Sequence, residues 1–121
     1  MNESGTHILV VDDDPFTAEM TGMILESEEY EVILAEGGVD ALDKLASDPL
    51  VRIVVSDMNM PFMSGIQLFK EMRDHGIKIP FVLLTGDEAA PLRLQYPEID
   101  IIVTKDEDLQ ETLPETVASL L

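Results

Sequence analysis

Three stretches of this chain are continuously apolar: Ile8-Leu9-Val10-Val11, Ile53-Val54-Val55 and Phe81-Val82-Leu83-Leu84. A strand with one wet face alternates apolar and polar side chains. A short unbroken apolar run suits a strand covered on both faces. Such strands form the middle of a parallel sheet, and parallel neighbours must be joined by crossovers, usually helical.

Helical patterns do stand between the runs. Strands are expected at His7–Val11, Glu31–Ala35, Arg52–Ser56, Pro80–Leu84 and Asp100–Thr104. The first helix is expected over Pro15–Glu28, with Asp14 as its cap and Pro15 in its first turn. Its inner stripe reads Phe16, Met20, Met23, Ile24 and Ser27, and the methionines in such stripes read as core filler. The second covers Val39–Ala46, with Ala41, Leu42 and Leu45 inward. The third is capped by Ser64, packs Ile66, Leu68, Phe69 and Met72, and is stopped by Gly76. Beyond Thr85, Pro91 and Pro97 demand an atypically short fourth helix, starting near Pro91 and ending before Pro97. The last helix contains Pro114. A cap at Thr112 would put that proline in the first turn and leave residues 106–111 as a loop or single turn.

This order of elements predicts one α/β domain over residues 1–121. Its core is a doubly wound five-stranded parallel sheet with right-handed crossovers and helices on both faces. Ligands of such sheets bind at the carboxyl ends of the strands, at the topological switch point. For strand order 2-1-3-4-5 that point lies between strands 1 and 3. The first run ends in Asp12-Asp13-Asp14-Pro15 and the third in Asp57; Thr85 closes the fourth and Lys105 the fifth. Taken singly these residues are ordinary: aspartate caps helices, and Asp57 ahead of Pro61 and Gly65 fits turn chemistry. Taken together, acids, a hydroxyl and an ammonium fall at one sheet edge.

A carboxylate there can attack phosphorus and form an acyl phosphate. Attack by one anion on another needs positive charge, which a hard divalent ion such as Mg²⁺ supplies.

Composition narrows the alternatives. Lys and Arg number 7 against 25 Asp and Glu, so the formal charge is 7 − 25 = −18. No Lys or Arg precedes Lys44 or follows Lys105. Direct nucleic-acid binding needs a basic footprint, and anionic membranes attract basic segments, so neither partner is expected. A partner with a basic docking surface is compatible with this charge. With 45% hydrophobic residues the chain can build a core. It has no cysteine, hence no disulfide and no thiolate metal site. No apolar run approaches the roughly 20 residues of a membrane span. Met1–Gly5 lacks the basic and apolar regions of a signal peptide. A cytoplasmic location is expected.

ILVVDDDP, VVSDMNMP followed by Phe62-Met63-Ser64-Gly65, and LLTG resemble the receiver domain of bacterial two-component response regulators, of the chemotaxis-regulator-like, flavodoxin-like type. The resemblance spans nearly the whole chain. It implies that Asp57 is the phosphoacceptor, that Thr85 hydrogen-bonds a phosphoryl oxygen and that Lys105 contacts the phosphoryl group. It implies Mg²⁺ held by Asp12, Asp13, Asp57 and the backbone carbonyl of Asn59, with Asp13 a direct ligand. The donor would be a sensor histidine kinase or a histidine phosphotransfer protein, and the output a downstream effector. A monomer or a weak phosphorylation-dependent dimer is implied. Such a domain catalyses its own phosphorylation and dephosphorylation but turns over no external substrate. Asp87 and Asn59 match positions that tune phosphoryl lifetime.

Three departures stand out. Asp106 follows Lys105 where receivers usually place proline, so a trans bond or a rearranged loop is expected. Ile102 stands where the family usually carries a switching Tyr or Phe. The fourth helix is proline-broken, and the usual Gly-Ala before strand 5 is missing. These changes spare the acids and point to intact phosphoacceptance with a non-standard output. Two other readings compete. A haloacid-dehalogenase-type phosphatase would need Thr or Val where Phe16 stands, and room for a cap domain. A pseudo-receiver would keep the fold and signal without phosphate.

Overall fold

The computed structural model describes residues 6–28 and 30–121. Residues 1–5, read above for leader chemistry, lie outside the described residues. Strands β1 (His7–Val11), β2 (Glu31–Ala35), β3 (Val51–Asp57), β4 (Phe81–Thr85) and β5 (Ile101–Thr104) alternate with helices α1 (Pro15–Glu26), α2 (Gly38–Ser47), α3 (Gly65–Asp74), α4 (Ala89–Gln95) and α5 (Leu109–Leu120). All pairs are parallel and the order is β2-β1-β3-β4-β5, as expected. β1, β3 and β4 are the central strands, and their unbroken apolar runs are buried on both faces.

Period-2 alternation splits the core in two. Leu9, Val54, Phe81, Leu83 and Ile102 pack with Ala41, Leu68, Phe69, Met72 and Ala89 from α2, α3 and α4. Ile8, Val10, Ile53, Val55, Val82, Leu84 and Val103 pack with Leu25 of α1 and with Leu113 and Val117 of α5. Phe69 meets Phe81 edge to face at 5.4 Å, an arrangement favoured by the ring quadrupoles.

Helix α3 follows its sequence signals. Ser64 accepts from the Gln67 amide while the Gln67 side chain accepts from the Ser64 amide, a reciprocal capping box. Gly76 takes the positive φ of 78° that ends the helix. Ser64→Ala is expected to cost about 1 kcal/mol, read by urea denaturation.

Helix α1 corrects the sequence reading. Its inner face is Ala18, Thr21, Gly22 and Leu25, whereas Phe16, Met20 and Met23 are 68, 52 and 66% exposed. The reason is size. A Cβ on Gly22 would already lie 3.2 Å from Val32, so the helix rides close on β2 and only small residues fit beneath it. The large apolar residues are left on the opposite, open face, so the methionines there are not core filler.

Helix α5 corrects it again. The helix begins at Leu109, Pro114 lies inside it, and Thr112 is not its cap. Leu109, Leu113 and Val117 fall four apart on one face against the sheet. Burying that stripe requires helix from Leu109 onward and outweighs the hydrogen bond that Pro114 cannot make. Helix α4 is short, as expected, but starts two residues earlier. Pro91 then sits in the first turn, where amides have no helical partner.

At the amino ends of β1 and β3, His7 Nδ1 lies 2.7 Å from Asp48 Oδ2. The His7 contact, followed by the Leu50 amide, holds the Asp48 carboxyl below its usual range. The Glu36 amide and then Lys44 do the same for Asp40. A depressed carboxylate stabilises the fold above its unfolded pKa, near 4, and that contribution is lost as pH falls through the folded value. Asp48→Asn is therefore expected to shrink the loss of stability between neutral pH and pH about 3, measured by urea unfolding across pH. An unchanged acid slope would show that the pair is not linked to folding.

Candidate acidic phosphoryl-transfer site

Strands β1, β3, β4 and β5 each deliver one polar residue where the apolar run stops. Asp12 follows the last residue of β1, Asp57 ends β3, Thr85 ends β4, and Lys105 follows β5. Parallel strands in register bring these ends to one edge of the sheet. Carboxylate oxygens of Asp12, Asp13 and Asp57 lie within 4.8 Å of one another. Asp12 and Asp57 are buried, and Asp13 is exposed. Lys105 Nζ donates to Asp57 Oδ1 at 2.6 Å. Thr85 is fully buried, and its carbonyl accepts from the Lys105 amide at 2.7 Å, which sets the lysine over the acids.

The cluster is short of positive charge. Three carboxylates face one ammonium, so its formal charge is −3 + 1 = −2. Burial, with the negative charges of Asp57 and Asp13 adding to it, pushes the Asp12 carboxyl above its usual range, and the Asp14 amide and Lys105 oppose the shift. Asp12 Oδ1 accepts the Asp14 amide at 2.9 Å, which ties the carboxylate to the turn into α1. A deficit of two charges among hard oxygen donors fits a divalent cation such as Mg²⁺.

Asp57 is clamped by its neighbours. The buried Ser56 hydroxyl donates to the Asp57 carbonyl at 2.9 Å. The Met58 amide donates to the Leu84 carbonyl at 2.8 Å, and the Gly65 amide to the Met58 carbonyl at 2.9 Å. A Cβ on Gly65 would lie 2.5 Å from the Asp57 carbonyl oxygen. The sequence places Ser56 in a strand and Gly65 in turn chemistry, both within the VVSDMNMP and Phe62–Gly65 motif, and assigns neither a role in holding Asp57. A small residue opening a helix that packs at a strand end was the available signal.

Thr85 Oγ1 accepts from the Asp87 amide at 3.1 Å, and Thr104 Oγ1 donates to the Asp87 carbonyl at 3.2 Å. Asn59 is exposed on the loop leaving Asp57. The Lys105–Asp106 bond is trans. Ile102 is 1% exposed, packed in the core below α4.

Comparison with known proteins agrees with this geometry. The model of the response regulator receiver domain family matches residues 8–116. The Escherichia coli K12 transcriptional regulatory protein GlrR is 37% identical over 91 residues, 75% of this chain and 20% of that protein. Response regulator SaeR of Staphylococcus epidermidis is 38% identical over 81 residues, 67% of this chain and 34% of that protein. The match thus spans about a fifth to a third of these relatives' length. Among solved structures, response regulator TrrA of Thermotoga maritima, in complex with Mg(2+)-BeF, is 34% identical with a TM-score of 0.85, covering 96% of this chain and 99% of that one. Vibrio cholerae chemotaxis protein CheY4 is 26% identical with a TM-score of 0.83, covering 96% and 98%. The strand order, the acidic edge and these likenesses agree: the chain belongs to the response regulator receiver domain family of bacterial two-component systems.

Proposed function

We propose that residues 1–121 form one receiver domain that accepts a phosphoryl group on Asp57 from the phosphohistidine of a sensor histidine kinase or phosphotransfer protein. The observation that carries this is the convergence of three carboxylates at the switch point, with Lys105 paired to Asp57. A carboxylate oxygen of Asp57 attacks phosphorus. The P–O bond forms as the P–N bond breaks, and the imidazole nitrogen keeps the electron pair and takes up a proton. Asp12, Asp13, Asp57 and the Asn59 carbonyl would hold Mg²⁺, which when bound supplies the positive charge that lets one anion approach another. The presence of Mg(2+)-BeF in the TrrA structure supports that choice of ion.

Lys105 turns from Asp57 Oδ1 to an oxygen of the transferred group, as a mobile point charge. The Thr85 hydroxyl already accepts from the Asp87 amide, which leaves its own proton free for a phosphoryl oxygen. Moving Thr85 then perturbs Asp87 and, through the Asp87 carbonyl, Thr104 of β5. Ile102 has no ring to swing. This hydrogen-bonded path supports an output that differs from an aromatic switch, tested by whether Thr104→Val uncouples phosphorylation from amide shifts in β5.

The open face of α1 suits the donor. Met20, Met23 and Ile24 line, with Ser27 and Gln110, a cleft of about 550 Å³ between α1 and α5. A contiguous exposed apolar surface marks an interface. The charge of −18 favours a donor with a basic rim. Among the described residues no helix is long and apolar enough to cross a membrane.

Incubation with acetyl phosphate and Mg²⁺ tests the proposal. A mass gain of about 80 Da, one phosphoryl group, is expected in the wild type and not in Asp57→Asn or with excess EDTA. No gain under fast quenching would overturn it.

A further inference from the structure

The loop that leaves Asp57 contains a turn that cannot hold itself. The Met63 amide donates to the Pro61 carbonyl at 2.7 Å, which closes a three-residue turn. Its central residue, Phe62, has φ 69°. That hydrogen bond around a positive φ marks the rare, strained form of the γ-turn. A bulky residue in the left-handed region is itself unfavourable. The Phe62 ring is fully exposed, so no burial at that residue offsets the strain. The restraint must come from its neighbours. Met60, on one side, is buried in the core. Met63, on the other, packs against the same core.

Met63 has a seat on α2. A Cβ on Gly38 would lie 2.9 Å from Met63 Cγ, 3.0 Å from Met63 Cβ and nearer still to its Sδ. Because the Met63 Cβ takes part, turning the thioether end alone would not relieve such a contact. Gly38 opens α2, and that end of the helix is braced. Asp40 Oδ2 accepts the Glu36 amide and Lys44 Nζ, both at 3.0 Å. Lys44 Nζ also donates to the Leu34 carbonyl of β2 at 2.9 Å. The Asp12 amide is tied to the same place, donating at 3.1 Å to the carbonyl of Ala35, which ends β2. The start of α2 thus supports Asp12 on one side and the Asp57 loop on the other.

We propose, on the reading that Asp12, Asp13, Asp57 and the Asn59 carbonyl hold a divalent cation, that the seat of Met63 on Gly38 positions that carbonyl for the ion. Met58 is pinned at both backbone groups, its amide to Leu84 and its carbonyl to Gly65. Asn59 stands exposed between this fixed point and the strained turn. Strain at Phe62 is borne by the residues on either side of it. With Met63 unseated, Phe62 relaxes out of the left-handed region and the backbone from Asn59 to Met63 rotates. Met63 is therefore a positioning residue, acting through the loop.

Calorimetric titration of the unlabelled protein with Mg²⁺ tests this, beside the NMR resonance of the Met60 amide. That amide shares a peptide with the Asn59 carbonyl, so a cation on the oxygen shifts it. Met63 is only partly buried, so Met63→Ala folds, as a thermal melt will show. The variant is expected to weaken Mg²⁺ binding at least about tenfold, as loss of a support behind a metal ligand does, and to shrink the Met60 shift at saturation. Gly38→Ala, made on a different element, is expected to do the same. Met63→Leu refills the seat and is expected to bind Mg²⁺ like the wild type, since the swap conserves volume. Ile77→Ala removes another side chain packed on the same core; it is expected to lower the melting temperature and leave Mg²⁺ binding unchanged. Wild-type affinity and Met60 shift in Met63→Ala overturn the proposal, as does equal loss in Met63→Leu or Ile77→Ala. A wild type whose Met60 amide ignores Mg²⁺ would instead refute the Asn59 reading, and the proposal with it.

Discussion

Gly65→Ala is expected to cost about 3 kcal/mol of stability, at the upper end for overpacking, and to slow phosphoacceptance at the same time. The added Cβ would stand 2.5 Å from the Asp57 carbonyl oxygen and 2.6 Å from Leu83 Cδ1. The Leu83 methyl can turn away at modest cost. The Asp57 carbonyl cannot, because it belongs to the last residue of a central strand and accepts the Ser56 hydroxyl. The start of α3 must therefore move, and with it the Gly65–Met58 hydrogen bond. A displacement of about 1 Å at a reacting group can lower a rate on the order of 100-fold. Urea unfolding and the rate of acetyl phosphate labelling read the two effects separately. Wild-type stability would show that the loop yields freely and that Gly65 does not position Asp57.

Asp12→Asn is expected to move stability and activity in opposite directions. The folded Asp12 carboxyl lies above its usual range, chiefly through burial and then through Asp57. A raised carboxylate works against the fold where it is ionised, and this cost fades as pH falls through its folded pKa. Removing the charge should raise the melting temperature in metal-free buffer at neutral pH. It should also abolish most of the stabilisation that Mg²⁺ gives the wild type, since a ligand stabilises only the state it binds. Labelling by acetyl phosphate should fall at least about 100-fold, because less positive charge is held at the phosphorus. Thermal melts with and without Mg²⁺ give the first two results. A variant that gains stability yet keeps its Mg²⁺ response would place the ion away from Asp12.

These expectations depend on features that differ in how plainly the sequence displays them. The central strands were legible because burial on both faces leaves only apolar residues in Ile8–Val11, Ile53–Val55 and Phe81–Leu84. The acids were legible because each interrupts such a run where the strand must end. The inner face of α1 was not. Hydrophobicity points to Phe16, Met20 and Met23, while the fit against β2 selects Ala18 and Gly22. Side-chain volume between two elements depends on their separation, which periodicity does not report. The start of α5 was hidden for a related reason. Local rules place Pro114 in a first turn, and the pull of Leu109, Leu113 and Val117 toward the sheet overrides them. The contact of Met63 with Gly38 joins residues whose proximity follows only from the crossovers.

The central claim is that the Asp57 carboxylate itself takes the phosphoryl group. Borohydride reduction of the labelled protein, followed by peptide mass spectrometry, tests it most directly. An acyl phosphate, the intermediate of carboxylate attack, is reduced to an alcohol, turning the aspartate into homoserine, about 14 Da lighter. The account predicts this change at position 57 alone, dependent on phosphodonor and Mg²⁺. Homoserine at Asp12 or Asp13, or label retained with position 57 unchanged, would contradict it.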